Sequence, residues 1–160
     1  MRVAVAFDHR GVVLRDRVIA QIEALGHEVV DLGTNRETPK VDYPDKARDV
    51  AAALTTGDAQ RGILVCSSGI GAAIAACKFV GIRAAVCHDH YTAHQGVEHD
   101  DMNVLCFGSE IIGVQVVSEV ISAFLAARFD GGDRYRRRLE KLEEIERSNG
   151  AVVATPRLAS

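Results

Sequence analysis

Two polar, glycine-containing segments carry the groups in this sequence that are best suited to chemistry on a small ligand. The first is Asp8-His9-Arg10-Gly11 and the second is Cys66-Ser67-Ser68-Gly69-Ile70-Gly71. Each follows an apolar, β-rich run, so each is expected at the carboxyl end of a strand. A helix that begins after the second segment would present backbone N–H groups to an anion and would stabilise a nearby thiolate. Cys66 is therefore a candidate base, although a buried core thiol is the more common situation for a cysteine.

His99 is a second candidate for acid–base chemistry. It lies in Glu98-His99-Asp100-Asp101, after a helix predicted to begin near Tyr91 and before an apolar run, and so it also belongs near a strand end. A histidine in such a place is more often a solvated loop residue. Its function therefore depends on what surrounds it.

A histidine-rich stretch invites a metal interpretation, which we do not favour. His90 and His94 are one helical turn apart and follow Cys87, His88 and Asp89. No carboxylate or second cysteine stands at a spacing that would complete the site. The sequence therefore predicts no metal site.

Apolar β-rich runs alternate with segments of helical period along the chain, which predicts an α/β fold with a parallel sheet. We expect a three-layer, doubly wound, Rossmann-like sheet of five parallel strands in the flavodoxin-like order 2-1-3-4-5. The ligand crevice of such a sheet joins the loops after strands one and three, where the two polar segments lie. The predicted strands are Arg2–Phe7, Glu28–Leu32, Arg61–Cys66, Arg83–Val86 and Val104–Phe107.

The last part of the chain changes in composition after Phe129. A charged helix follows Gly131-Gly132, and only Leu139, Leu142 and Ile145 form a narrow apolar seam on it. Such a seam fits packing on a partner subunit, and packing on its own domain fits the pattern equally well. We predict one domain, residues 1–147, followed by a tail, residues 148–160.

Composition excludes several classes of function. The 160 residues include 19 Lys+Arg and 22 Asp+Glu, a formal net charge of -3, so no positive field exists to hold nucleic acid or an anionic membrane. No apolar run reaches the length of a membrane span and the N-terminus does not resemble a signal peptide, so a cytoplasmic protein is expected. The four cysteines lack a CxxC pair and are expected as reduced thiols.

Several spaced motifs, in order over residues 1 to about 147, resemble the B-type ribose-5-phosphate isomerases and their relatives, the galactose-6-phosphate isomerase subunits. A single such motif is a weak signal, whereas eight in register are specific. They are Asp8-His9 with Gly11, Asp42-Tyr43-Pro44, Gly62-Ile63-Leu64-Val65-Cys66, Ser68-Gly69-Ile70-Gly71, Ile74-Ala75-Ala76 with Lys78, Gly81-Ile82-Arg83-Ala84, His99 with Asp101 and Asn103, and Phe129 through Gly132.

The resemblance implies interconversion of an aldose and a ketose through an enediolate, without metal or cofactor, at sites between two subunits of a homodimer or homotetramer. Cys66 would move a proton between C2 and C1, and Ser68 with the following backbone N–H groups would hold the oxyanion. His99 of the partner subunit would open the sugar ring. Asp8 would bind hydroxyls or assist ring opening together with His9.

The sequence departs from the family pattern at four positions. Asp100 stands where the family usually has Asn, Glu110 and Asp133 where it has Arg, and Ser67 where it has Gly. The first three add negative charge to a site expected to receive a phosphate, and like charges in proximity are unfavourable. The remaining cations that could form a phosphate clamp are Arg10, Arg134, Arg137 and Arg138.

Three functions therefore stay open. The first is interconversion of ribose 5-phosphate and ribulose 5-phosphate. The second is the same chemistry on another sugar, phosphorylated or not, because the acidic residues favour hydroxyls over phosphate. The third is a non-catalytic sugar-binding relative, against which the thiol and the imidazole argue. A flavin carrier has little support, since the chain has no Trp and only 5% aromatic residues.

Overall fold

Five parallel strands form one sheet in the computed structural model, which describes residues 1–35 and 40–149. Each strand pairs in parallel with its neighbours, so the predicted α/β class with a five-stranded parallel sheet is confirmed. The predicted strands agree with the observed ones to within one residue at each end. The strands are β1 (Arg2–Phe7), β2 (Glu28–Asp31), β3 (Arg61–Cys66), β4 (Ala84–Val86) and β5 (Val104–Gly108).

The predicted strand order 2-1-3-4-5 is wrong at one edge, because the observed order is β2-β1-β3-β5-β4. Every residue of β5 is buried, which suits a strand with neighbours on both sides. By contrast, β4 has three residues, one of them exposed, which suits a short edge strand. The strand beside β3 on this side is therefore β5, with Gly108 in register with Cys66.

Helices cover both faces of the sheet and make the fold three-layered. One apolar cluster joins the sheet to α1, α4 and α5, and a second joins it to α2 and α3. A 3₁₀ helix, Gly11–Leu14, precedes α1. The helices are α1 (Arg15–Ala24), α2 (Tyr43–Thr55), α3 (Ile70–Ala76), α4 (His90–Asp100), α5 (Val114–Ala126) and α6 (Asp133–Asn149).

The C-terminal helix α6 is buried against its own domain at Tyr135, in its first turn. Tyr135 is 3% exposed, whereas Leu142 and Ile145 of the apolar seam are 44% and 53% exposed. Ser148, assigned above to the tail, lies in this helix, and residues 150–160 of the predicted tail lie outside the described residues. No helix in the described part of the chain combines the length and the apolar character that a membrane span requires.

Glycines allow the carboxyl end of β1 to approach that of β3. A Cβ atom on Gly11 would lie 2.0 Å from the carbonyl oxygen of Val65, a separation that no side chain permits. Asp8 N–H donates to that same carbonyl at 3.1 Å. The segment after β1 is therefore packed directly against the end of β3.

We predict that Gly11→Ala destabilises the protein by about 2–3 kcal/mol or more, because the added methyl group must displace backbone rather than a side chain. Thermal and urea denaturation measure the change. Gly113→Ala is the matched control, since nothing lies within 4 Å of its added Cβ. Equal stabilities of the two variants would contradict the close packing described here.

Candidate functional site

The carboxyl ends of β1, β3 and β5 meet around Cys66. Ser109 N–H donates to the Cys66 carbonyl at 2.8 Å, and Glu110 N–H donates to the Ser67 carbonyl at 3.1 Å. The first polar segment joins from the other side through Asp8 and Val65, as described above. The two polar segments predicted to converge therefore do so, and the segment after β5 completes the group.

Cys66 is held with its sulfur against the backbone that begins α3. The side chain is 4% exposed, and Gly69 N–H donates to its Sγ at 3.0 Å. Gly69 has a φ of +82°, and an added Cβ would lie 2.9 Å from Cα of Phe107, so glycine is required there. The Gly69 N–H is therefore a hydrogen-bond donor directed at the Cys66 sulfur.

Two other thiols, those of Cys87 and Cys106, are buried in the core. Burial raises the pKa of the Cys87 thiol, and it raises that of Cys106 well above the ordinary value. Both are therefore neutral core groups at physiological pH.

The rest of the second polar segment runs from Ser67 to Gly71, and Tyr43 of α2 packs on it. Ser68 Oγ accepts from Ile70 N–H at 3.3 Å, and the Ile70 side chain is 57% exposed. The ring of Tyr43 covers Gly71, because an added Cβ there would lie 2.8 Å from its Cζ. Ser67 and Ser68 are half-buried, and Tyr43 packs on the same segment at Gly71.

Asp8 has a structural task in addition to any chemical one. It is 6% exposed, and its Oδ1 accepts from Arg10 N–H at 2.8 Å and from Gly11 N–H at 2.7 Å. His9 beside it is exposed, with Nδ1 3.3 Å from the Val41 carbonyl oxygen. The Asp8 carboxylate therefore shapes the segment that carries the His9 ring.

Glu110 does not add an unopposed charge to this end of the sheet. Its Oε1 accepts from Arg10 Nη1 at 2.6 Å, and both side chains are more than half exposed. The hydrogen bond and the charge of Glu110 raise the pKa of the Arg10 guanidinium. The charge excess expected at Glu110 from sequence is therefore balanced by Arg10, which is itself committed to this pair.

His99 lies at the other end of the sheet, in the last turn of α4 and not after that helix. The helix begins at the carboxyl end of β4 and runs back to the amino end of β5. Asp130 N–H donates to the Glu98 carbonyl at 2.9 Å, which ties this turn to the chain after α5. Because β3 spans about 17 Å, His99 and Cys66 of one chain cannot meet on one small ligand.

Tyr135 organises the group around His99. The two rings stack with centroids 4.6 Å apart, and the Arg134 guanidinium lies 4.4 Å from the centroid of the Tyr135 ring. Arg134 also donates to the Tyr135 hydroxyl. The buried tyrosine therefore links the imidazole to an arginine.

The remaining predicted site residues lie at the His99 end of the sheet. Asp133, Arg134 and Arg137 lie in the first turns of α6, near His99, and Asp100 ends α4. Asp100 also lines a cleft of about 350 Å³ between α6 and the β4 edge, with Met102, Leu142 and Ile145. The three acidic departures from the family pattern thus do not gather in one place within a chain.

The histidine-rich stretch forms no metal site among the described residues. The rings of His90 and His94 stack 6.3 Å apart, and His94 Nδ1 lies 3.7 Å from a Glu98 carboxylate oxygen. A different histidine of this stretch, His88, contacts the backbone of β5, as described below.

The sequence named His88 only as part of the histidine-rich stretch, did not single out Tyr135, and did not place Tyr43. His88 and Tyr135 had no signal beyond their residue types, because their partners are distant in sequence. Tyr43 stood in a matched motif, but its contact with Gly71 requires the packing of α2 on α3.

A comparison with known proteins identifies the family of this chain. The family model described as "Ribose/Galactose Isomerase" matches residues 3–142. The chain belongs to this family. The family identified from the spaced motifs is therefore confirmed.

Individual relatives match over nearly their whole length. The chain is 40% identical over 145 residues to the ribose-5-phosphate isomerase B of Escherichia coli, covering 91% of this chain and 96% of that protein. It is 36% identical over 132 residues to the D-erythrulose-4-phosphate isomerase of Pectobacterium atrosepticum, covering 82% and 87%. The structure of the type B ribose 5-phosphate isomerase of Trypanosoma cruzi superposes with a TM-score of 0.89 at 41% identity, covering 92% and 99%.

We predict that Asp8→Ala lowers the free energy of unfolding by about 2–4 kcal/mol, because two backbone N–H groups lose their acceptor. Asp8→Asn keeps an oxygen in place and should lose less than half of that. Urea denaturation measures both, with the exposed Asp16→Ala as control. If Asp8→Ala were as stable as the control, Asp8 would not hold this segment.

Proposed function

We propose that this protein interconverts ribose 5-phosphate and ribulose 5-phosphate through an enediolate, with Cys66 as the base and without metal or cofactor. The observation that carries the proposal is the Cys66 sulfur, held 3.0 Å from Gly69 N–H at the meeting point of three strand ends. Membership of a sugar isomerase family makes an aldose–ketose reaction the chemistry that this base would serve.

The reaction needs one base and a stabilised oxyanion. The Cys66 thiolate takes the proton from C2 of the open-chain aldose, and the electron pair moves through C1 to its carbonyl oxygen. The O2 proton passes to O1, and the thiol returns its proton to C1, which leaves a carbonyl at C2. The Ser68 hydroxyl and the backbone N–H groups at the start of α3 are the nearest donors for the developing negative charge.

Ring opening is assigned to His99, which requires a second copy of the chain. Within one chain the length of β3 separates His99 from Cys66, so a single chain holds two half-sites. In a homodimer with a two-fold axis, the His99 end of one subunit faces the Cys66 end of the other, and both sites are complete. The exposed seam residues Leu142 and Ile145 offer an apolar face for such packing.

Phosphate recognition is assigned to the cations that accompany His99. Arg134 is oriented by Tyr135, and Arg137 lies one turn further along α6 with an exposed side chain. Asp133 on the same turn opposes them, whereas Glu110 is already paired with Arg10. Asp8, His9 and Ser67 line the opposite side, where sugar hydroxyls would bind.

A second candidate is the same reaction on a different phosphorylated sugar. The relative named D-erythrulose-4-phosphate isomerase, 36% identical to this chain, favours it. A coupled assay that titrates ribose 5-phosphate, a four-carbon ketose phosphate and the corresponding free sugars decides between the candidates by kcat/KM. A free sugar with the highest kcat/KM would contradict the phosphate assignment.

We predict that Cys66→Ser lowers kcat by about 10³-fold or more. An alcohol is far less acidic than a thiol, so the serine hydroxyl stays protonated and cannot accept the proton from C2. The measurement is the incorporation of deuterium from heavy water into product, followed by NMR. The kcat of Cys77→Ser, which changes an exposed thiol, should stay within about threefold of that of the unaltered protein. Equal deuterium incorporation in both variants would exclude Cys66 as the base.

We also predict that two inactive variants restore each other. Mixing Cys66→Ser with His99→Asn subunits, after dissociation and reassociation, should recover ~25% of the unaltered activity, because half of the dimers contain one intact site. Each variant reassociated alone is the control. No recovery, with mixed dimers demonstrated by mass spectrometry, would mean that sites lie within one subunit.

A further inference from the structure

The His88 ring takes the place of a main-chain carbonyl as a hydrogen-bond acceptor at the edge of the sheet. The last ladder bond between β4 and β5 runs from Cys87 N–H to the Cys106 carbonyl at 3.0 Å. The next N–H on β5, that of Gly108, donates instead to Nε2 of the half-buried His88 ring at 3.0 Å. In a parallel ladder this N–H would meet a main-chain carbonyl, so the imidazole completes the pairing where β4 leaves the sheet.

Gly108 is the residue against which the Cys66 segment is packed. It is in register with Cys66, and a Cβ on it would lie 2.5 Å from the Ser67 carbonyl oxygen and 2.7 Å from Ser68 Cα. The next two N–H groups, of Ser109 and Glu110, donate to the Cys66 and Ser67 carbonyls. A displacement of Gly108 would therefore displace both the proposed base and the serines.

We propose that His88 is a positioning residue, whose neutral imidazole holds Gly108 and through it keeps Cys66 and Ser68 in their reactive arrangement. The inference rests on the proposed isomerase function. His88 itself touches the β5 backbone, so it acts through Gly108. Nε2 accepts the bond, and the ring must therefore carry its proton on Nδ1.

The arrangement makes the position of the site sensitive to acid. Protonation of His88 would set an N–H against the Gly108 N–H and break the bond. Burial lowers the pKa of His88, and the charge of Asp89 partly opposes this shift. Asp89 is exposed and accepts from Thr92 N–H at 2.8 Å and from its hydroxyl at 2.7 Å. The stabilising bond is therefore present above the ordinary histidine pKa and is lost as the pH falls through the lowered one.

Glutamine and leucine at position 88 separate hydrogen bonding from bulk. The amide oxygen of His88→Gln can accept the Gly108 N–H near the Nε2 position and does not titrate. We expect its kcat to stay within about threefold of the unaltered enzyme at pH 8 and its acidic decline to shift to lower pH. His88→Leu should lose about tenfold or more in kcat, with KM changed less than threefold, because the N–H loses its acceptor. His90→Gln, which removes an exposed histidine two residues away, is the control for both.

The Gly108 amide gives a readout that does not need activity. Its ¹⁵N and ¹H shifts should titrate with the His88 ring in the unaltered protein and should not do so in His88→Gln. If His88→Leu does not fold, His88→Gln still tests the proposal. An unchanged acidic decline of kcat in His88→Gln, together with a Gly108 amide that still titrates in that variant, would overturn the proposal. A His88→Leu variant as active as His90→Gln would also overturn it. Absence of isomerase activity in the unaltered protein, with Gly108 titrating as expected, would refute the proposed function while leaving the His88–Gly108 bond intact.

Discussion

The close approach of three strand ends is the constraint on which the site depends. Gly11, Gly69 and Gly108 lie where neighbouring backbone leaves no room for a Cβ atom. These approaches bring Cys66 within reach of an N–H donor and fix the turn that begins α3. A protein interior resists such displacement because it is packed to crystal density. The surroundings of the Cys66 sulfur are thus set by backbone contacts.

The residues whose environment is set by short-range pattern were predictable from sequence. The apolar runs of β1 and β3 followed by polar, glycine-containing segments located Asp8 and Cys66 at the same edge of the sheet, and the structure agrees. The order of β4 and β5 was predicted wrongly, because it depends on which strand is buried on both sides. The available signal was the difference in composition between the two strands. β4 is short, contains two alanines and follows Arg83, whereas β5 is fully apolar.

The contacts that the sequence did not predict all cross between elements. His88 meets Gly108 only because β5 lies between β3 and β4, so an error in strand order hides its partner. Tyr135 meets His99 only because the chain after α5 returns to the last turn of α4. No periodicity or fixed spacing in the sequence predicts either contact. Residue types identify such groups as candidates, and tertiary packing alone gives them partners.

The distribution of charge links the fold to the proposed assembly. Glu110 and Arg10 form a neutral pair at the carboxyl end of the sheet, whereas Asp133, Arg134 and Arg137 lie at the amino end with His99. In the proposed assembly, a substrate between two subunits would therefore meet a neutral side that carries the proposed base and a side with two arginines that carries the imidazole. This separation suits a sugar with its reacting carbons at one end and its phosphate at the other. It also keeps Arg134 and Arg137 of the same chain away from Cys66, whose sulfur accepts from the Gly69 N–H.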